Sequence, residues 1–396
     1  MHLHRVKYKD IEQIPQLQLN KNFKQDFQGS APAPFIGRFG YPNVNIGILS
    51  PQFSGDTSHY DAPRLWSKGK FSISQIANLR YNLVNSRTTH NIKQLQNSHF
   101  LQICQEVGMS SKPVELEVNL QKTPSLNLKQ ETEIIPFGPG SVIKKARITA
   151  NTKIDLRIER ITSDTDLKAT QGILNLYKKG FEENQLNKLI SVGALGLKQN
   201  RKLVPTRWSI TAIDDTLGKN LIQEIKQYPA HDYQLYFGGY FGNYYLILTF
   251  PESWSYELFE TYLNRQVNPW SKNGYAYSTD FEDYNGRTNY AEECAGGYYA
   301  ARLPLLEKLK ELKRQSSILA LRFITDEYNI PLGVWVCREA VRKSLQEKPL
   351  NFASEELMLK YAEQFIKNKF GFDVSLLLAQ SKLLKQKQQK KISDFA

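Results

Sequence analysis

Apolar and polar residues alternate in VELEVNL, and VIKKARITANTKIDLRIERI continues the same period of two, so both predict strands with one wet face. VNIGIL, set between Pro and Gly turns, predicts a short strand, and ILALRFIT and LGVWVC predict two more. YQLYFGGYFGNYYLILTF predicts a hairpin around a Gly-rich turn. Other stretches have helical spacing. In SISQIANLRYNLVNSR, Ile73, Ile76, Leu79, Leu83 and Val84 share a face, with Ser72 or Ser74 placed to cap. ILNLYKKGFEENQLNKLISV, SWSYELFETYLNRQ, VRKSLQ and SEELMLKYAEQFIKNKF also predict helices, as does YYAARLPLLEKLKELKRQ with its stripe of Leu305, Leu306, Leu309 and Leu312. A last helix is expected over Val374 to Leu384. Helices and strands mix irregularly, without a fixed-period repeat. The expected class is therefore α+β, with mixed helices and largely antiparallel sheet in one large domain or two tightly packed lobes.

The same patterning divides the chain. Residues 1–30 show little periodicity and read as a leader that drapes on the core or stays loose, residues 31–384 as the globular core. Residues 385–396, KQKQQKKISDFA, carry no apolar stripe and are expected to form a mobile tail.

Composition narrows the function. The 396 residues carry a formal net charge of +13, a surplus that suits an anionic partner such as nucleic acid or serves only solubility. Cys104, Cys294 and Cys337 are far apart and form no CxxC or Cys/His cluster, so no structural zinc and no disulfide framework are expected. Neither a signal peptide nor a run of 18 apolar residues is present, so the expectation is an intracellular protein with no membrane partner.

The most distinctive stretch is LGLKQNRKLVPTRWSITAIDD. Lys198, Arg201, Lys202 and Arg207 fall within ten residues without an acid among them, and Trp208 follows at once. That arrangement suits a phosphate clamp beside a stacking platform. The alternative is a surface loop whose arginines bridge to acids, with Trp208 in the core. RWSITAID reads as a strand ending in Asp214 and Asp215, candidates for a catalytic or metal-holding pair, or for a helix cap. Upstream, FIGRFGYPN lacks any Walker or dinucleotide spacing. Its glycines let a backbone approach a phosphate with Arg38 as counter-charge and Tyr41 as a second stacking ring, or they make a tight turn. GDTSHYDAP offers Asp56, His59 and Asp61 to a hydrolase, with His59 as general base, but an Asx-turn is the commoner use of such a run. In EECAGGYYAARLP, glycines before a helix allow either anion binding or close packing.

Within the tail, Gln389, Ile392 and Phe395 have the spacing i, i+3, i+6, and resemble the motif by which proteins dock on the sliding clamp (PCNA) of DNA replication and repair. In that motif the glutamine enters a polar pocket and the apolar residues a greasy one. The motif commonly ends in two aromatics, whereas here the second place is Ala396. The missing ring is worth about 1.5–3 kcal/mol, so a weakened clamp ligand is expected. The alternative is a tail packed back on the core.

The blocks FIGRFGYPNVNIGILSP, SGDTSHYDAPRLW, ISQIANLRYNLVNSR, LKQNRKLVPTRWSITAIDD and CAGGYYAARLPLLEKL closely resemble the archaeal Nre family of DNA repair proteins, over roughly residues 31–345. The resemblance implies a role in the response to DNA damage, DNA and the sliding clamp as partners, a clamp-binding tail, and a nucleoid-associated place in the cell. Many family members also carry a cysteine-rich, zinc-finger-like N-terminus, yet no cysteine precedes Cys104 here. Three functions are therefore in view. The first is a clamp-recruited DNA-binding repair factor. The second is a hydrolase acting on DNA or a nucleotide-derived lesion (nuclease, phosphodiesterase or glycosidic hydrolase), the only one that calls for a divalent metal. The third is an adaptor that touches proteins alone.

Overall fold

The structure, a computed structural model, describes residues 22–95, 98–125, 133–263 and 277–388. It divides into two compact units, one of residues 22–217 with Ile330–Gly333, the other of Gly218–Asn329 with residues 334–388.

The first unit holds strands β1 (Asp26–Ala31), β2 (Ala33–Ile36), β3 (Asn43–Ser50), β4 (Val84–Asn91), β5 (Val114–Leu120) and β6 (Gly140–Ile148), in the sheet order β1-β5-β6-β4-β3-β2. Around them stand helices α1 (Pro63–Lys68), α2 (Ile73–Tyr81), α3 (His99–Met109), α4 (Leu156–Ser163), α5 (Ala169–Lys178), α6 (Glu183–Ser191) and the start of α7 (Thr206–Ile225). β1 and β2 occupy opposite ends of the sheet, yet only Pro32 separates them. They are two halves of one kinked strand: the first half pairs with β5 and the second with β3. Proline cannot donate to a ladder, so the change of partner falls where no N–H is lost. The sheet thereby closes into a five-stranded barrel.

Counting β1–β2 as one strand, neighbours run first, second, third, fifth, fourth and back to first. The third and fifth (β4 and β6) are parallel and every other pair is antiparallel. α3 lies between the third and fourth strands in sequence. That is the connectivity of the OB barrel. Inward residues such as Phe27, Val44, Ile46, Ile48, Leu116 and Val118 share one core with Leu101, Ile103 and Val107 of α3. Gly29 lies among the inward positions of β1, and a Cβ there would sit 2.2 Å from the Pro51 carbonyl oxygen, so the barrel wall closes only around glycine.

The second unit is a mixed sheet of β7 (Gln234–Tyr240), β8 (Asn243–Phe250), β9 (Ser255–Tyr262), β10 (Tyr277–Glu282), β11 (Ser317–Ile324) and β12 (Leu350–Asn351), ordered β10-β9-β11-β8-β7-β12. α8 (Ala295–Leu312) and α9 (Trp335–Ser344) cover one face, where Arg302 of α8 pairs with Glu282 at 2.6 Å, both fully buried. The opposite face is covered by α10 (Glu355–Phe370), α11 (Ser375–Leu378) and α12 (Lys382–Gln388) around Leu246, Leu248, Phe259 and Phe323. The class is α+β, with two six-strand sheets that are antiparallel except for one pair each. Among the described residues no helix is long and apolar enough to cross a membrane.

Several local expectations are corrected. The described end of the leader drapes on the core, with Phe23 and Phe27 buried, and the boundary at residue 31 moves, since β1 begins at Asp26. RWSITAID is helix, because Ile213, Leu217 and Leu221 continue a 3.6-residue period beyond the window that suggested alternation. The second half of the VIKKARI stretch is α4, started by the Asp155 carboxylate, which accepts the Arg157 N–H. SWSYELFETY is β9, buried on both faces between β10 and β11. Trp335 opens α9 where LGVWVC suggested a strand, and the helix over SISQIANLRY stops at Tyr81, before β4. The tail boundary also moves. Residues 382–388 form α12, and Lys387 pairs with Glu355 at 2.7 Å and Glu252 at 3.2 Å, its ammonium 3.6 Å from the Phe250 ring centre. Gln389, Ile392, Phe395 and Ala396 lie outside the described residues.

Candidate nucleic-acid interface

The loop from β2 to β3, residues 37–42, is held at both ends. The Gly37 N–H donates to the Asn45 carbonyl at 2.7 Å, and the Pro42 carbonyl accepts the Ile92 N–H at 3.0 Å. The loop also meets the entry to α7: the Thr206 hydroxyl accepts the Ile36 N–H at 3.0 Å, and the Leu203 N–H donates to the Ile92 carbonyl at 2.9 Å. Two segments distant in sequence, FIGRFGYPN and RKLVPTRW, are thus neighbours. Their aromatics meet at the surface. The Tyr41 and Trp208 ring centres are 5.3 Å apart, tilted by 54°, and the two residues are 48% and 45% exposed. Phe39, 63% exposed, carries the Arg38 guanidinium over its ring at 4.6 Å. Tyr41 and Trp208 touch, so they form a contiguous exposed aromatic patch and not a lone surface ring, the arrangement that marks binding surfaces.

The basic residues separate into two groups. Lys198 and Lys202 are exposed. Arg201 is turned inward, its Nε donating to the Gly196 carbonyl at 2.8 Å and its Nη2 to the Asp164 carbonyl at 2.9 Å. Arg207 forks onto both oxygens of Glu133, with Nε 2.6 Å from Oε2. Arg207 therefore follows the alternative of an arginine bridged to an acid and Arg201 is spent on backbone carbonyls, while the two lysines keep their ammonium groups for solvent or a ligand.

A further set of polar residues went unread in the sequence. β3 and β4 pair Asn43 with Asn91, Asn45 with Thr89 and Gly47 with Arg87, all on the side opposite Val44, Ile46 and Ile48. This outer ladder starts two residues after Tyr41. Its signal was the period-two placing of Asn43 and Asn45 against buried Val44 and Ile46. Arg87 is half-buried and Lys93, just beyond β4, is exposed.

The acidic candidates fall elsewhere. Asp56 is exposed, and its Oδ1 accepts the Ser58 N–H at 3.0 Å, an Asx-turn whose hydrogen bonds hold the carboxyl below its usual range. His59 is half-buried with its ring against Tyr60, centres 4.8 Å apart, and its carbonyl accepts the Trp66 indole N–H at 2.7 Å. Asp61 is buried between Arg80 at 2.7 Å and Lys188 at 2.8 Å, and Asn184 donates to it at 2.8 Å. Burial alone would raise the Asp61 carboxyl; Lys188 and Arg80 outweigh it and hold the group below its ordinary value. Asp214 and Asp215 stand in the middle of α7 and not at a strand end, and Asp214 is fully buried. Among the described residues no three His, Cys, Asp or Glu side chains are grouped to hold a metal ion. All three thiols are buried, and burial raises each above its usual range.

No solved structure matches the chain. DNA repair protein NreB of Archaeoglobus fulgidus is 34% identical over 385 residues, covering 96% of this chain and 95% of its own length. DNA repair protein NreA of Haloferax volcanii is 35% identical over 327 residues, 81% of this chain and 78% of its own. The NreA protein of A. fulgidus is 35% identical over 344 residues, 86% of this chain and 85% of its own. The description "Archaeal Nre, N-terminal" matches residues 8–270 and "Archaeal Nre, C-terminal" residues 282–395. With both halves matched and relatives aligned over most of its length, the chain belongs to the archaeal Nre family.

Proposed function

We propose that the chain is a DNA repair protein that binds DNA on the barrel unit and is brought to its sites by the replication sliding clamp. The observation that carries the DNA-binding reading is the half-exposed Tyr41–Trp208 pair, whose Trp208 follows the exposed Lys198 and Lys202 within ten residues of chain. Rings offer stacking to any base, and ammonium groups offer charge to any phosphate, which suits a protein that meets many sequences. The net charge of +13 agrees in sign, and the similar proteins of two archaea are named DNA repair proteins. Recruitment rests on Gln389, Ile392 and Phe395, which follow α12 directly. Association with DNA and clamp places the protein at the nucleoid. The hydrolytic reading needed Asp56, His59, Asp61, Asp214 and Asp215, of which Asp61 is held in a buried ion pair and Asp214 inside a helix.

Two measurements test the pair of claims. Labelled DNA titrated with the full chain at low salt is expected to bind, and to bind more weakly to a Lys198→Ala, Lys202→Ala double variant. DNA that stays free at low salt sinks the first claim and leaves the protein-only adaptor. Purified clamp is expected to co-elute with the full chain and to lose it when Gln389, Ile392 and Phe395 are all alanine; co-elution that survives those changes sinks the second.

A further inference from the structure

We infer that the DNA taken by the barrel unit is a single strand, laid along the outer face of β3 and β4 from the Tyr41–Trp208 pair. This inference rests on the DNA-binding reading above and adds which form of DNA the site accepts.

Three observations converge on it. First, the rings. Tyr41, Trp208 and Phe39 stand about half exposed or more around one loop. In a duplex each base face is covered by its neighbour, so an aromatic side chain offers stacking only to a base already out of the helix. Second, the ladder. Asn43, Asn45, Thr89 and Asn91 are uncharged and short. Asn91 donates to the Asn43 Oδ1 at 2.9 Å and accepts the Lys93 N–H at 3.1 Å, which leaves the Asn43 amide N–H groups, Asn45 and Thr89 as the row's donors and acceptors. Such groups answer base edges, which a single strand leaves unpaired. Arg87 ends the row opposite Gly47, half-buried, with its guanidinium lying against Gly140 of β6. Third, the cations. Arg87, Lys93, Lys198 and Lys202 make no ion pair with a described residue, and no acidic residue occurs in β3 or β4. An anionic backbone therefore meets no like charge along those two strands.

The architecture gives these side chains a shared platform. In a barrel of this connectivity the second and third strands, with the loop that joins the first to the second, form an accessible concave face. Here those elements are β3, β4 and residues 37–42, the same three that carry the ladder and two of the rings. From Tyr41 to Gly47 the chain advances six residues, roughly 20 Å at the rise of a strand, which suits the short end of the ~4–16 nucleotides a barrel of this kind holds.

The test uses the full chain with a fluorescent oligothymidine of about 15 nucleotides, within that range of site sizes, and a duplex of equal length. The single strand is expected to bind roughly tenfold tighter than the duplex and to quench tryptophan fluorescence on stacking. Tyr41→Ala and Trp208→Ala are each expected to weaken single-strand binding about tenfold, the loss of one stacked base, while Trp208→Phe keeps most of the affinity and loses the Trp208 share of the quench. Both residues are half exposed, so these variants should fold, and an unchanged melting temperature checks it. A duplex bound as tightly as the single strand overturns the inference, even if loss of Lys198 and Lys202 weakens that binding and so leaves DNA binding itself standing. Single-strand affinity unmoved by the Tyr41→Ala, Trp208→Ala double variant also overturns it. Failure to bind either DNA at low salt takes away both this inference and the reading beneath it.

Discussion

Asp61 sits between the guanidinium of Arg80 and the ammonium of Lys188, all three largely removed from water. Replacing it by asparagine leaves two buried cations without their counter-charge, a change that typically costs about 3–5 kcal/mol. The pH dependence follows from the direction of its shift. The folded carboxyl titrates below its ordinary value, so the anion's contribution is complete above the unfolded value of about 4 and fades as pH falls through the lower folded one. Urea unfolding of the wild type and Asp61→Asn should therefore differ most near neutrality and converge in acid. A gap that persists unchanged well below the unfolded value would mean that shape, and not charge, is what Asp61 contributes. The same residue shows why a cluster of chemistry-bearing residues in sequence is weak evidence of catalysis: GDTSHYDAP reads as a hydrolase loop, but its members divide between an Asx-turn at Asp56 and a buried ion pair at Asp61.

Elements were legible where one periodicity had room to show itself. β5 alternates cleanly and half of it faces water; α8 and α10 carry long apolar stripes; the β7–β8 hairpin turns at Gly242. Reading failed where burial removed the pattern. β9 is covered on both faces, so it shows no alternation and passes for a helix, and the wholly buried start of α9 passes for a strand. Barrel closure was out of reach for a different reason, because β1 finds its partner in β5, far along the chain. The candidate interface shares that limit: each aromatic stood out beside basic residues, but nothing local to Tyr41 announces Trp208. α12 was read only as far as Leu384, because much of its hold comes from residues distant in sequence, a buried carboxylate among them. Glu257, fully buried in β9, accepts the Ser381 hydroxyl at 2.5 Å and the N–H groups of Lys382 and Leu383 at 3.0 Å each. A negative group at a helix start is favoured by both the hydrogen bonds and the helix dipole. Glu257→Gln puts an amide where the N–H donors need an acceptor, so a loss of about 1.5–3 kcal/mol is expected. Amide exchange should accelerate first at residues 381–384, and uniform acceleration across the second unit would instead assign Glu257 to the sheet.

At the scale of the whole molecule, 52 lysines and arginines face 39 acids, and the paired ones cancel inside the fold. Arg80, Arg302, Arg322 and Lys387 are all neutralised by a carboxylate within about 3 Å, at 2.7, 2.6, 2.5 and 2.7 Å. Such pairs add nothing to the field outside, so the surplus of +13 belongs to the surface, where a polyanion feels it. Surplus charge alone gives binding that weakens smoothly with salt and is indifferent to which lysine is removed. Discrete phosphate contacts give something sharper. Each contact on a single strand releases a counterion and contributes a slope of about −0.7 to the logarithm of affinity against the logarithm of salt. If Lys198 and Lys202 each hold one phosphate, their joint replacement by alanine should make the slope less negative by about 1.4, whereas two exposed lysines elsewhere, Lys348 and Lys367, should leave it nearly unchanged. A titration series between roughly 50 and 200 mM salt reads the difference directly. Equal changes from both pairs would show a diffuse cationic surface with no seat for the strand, and the site built around Tyr41 and Trp208 would lose its electrostatic half.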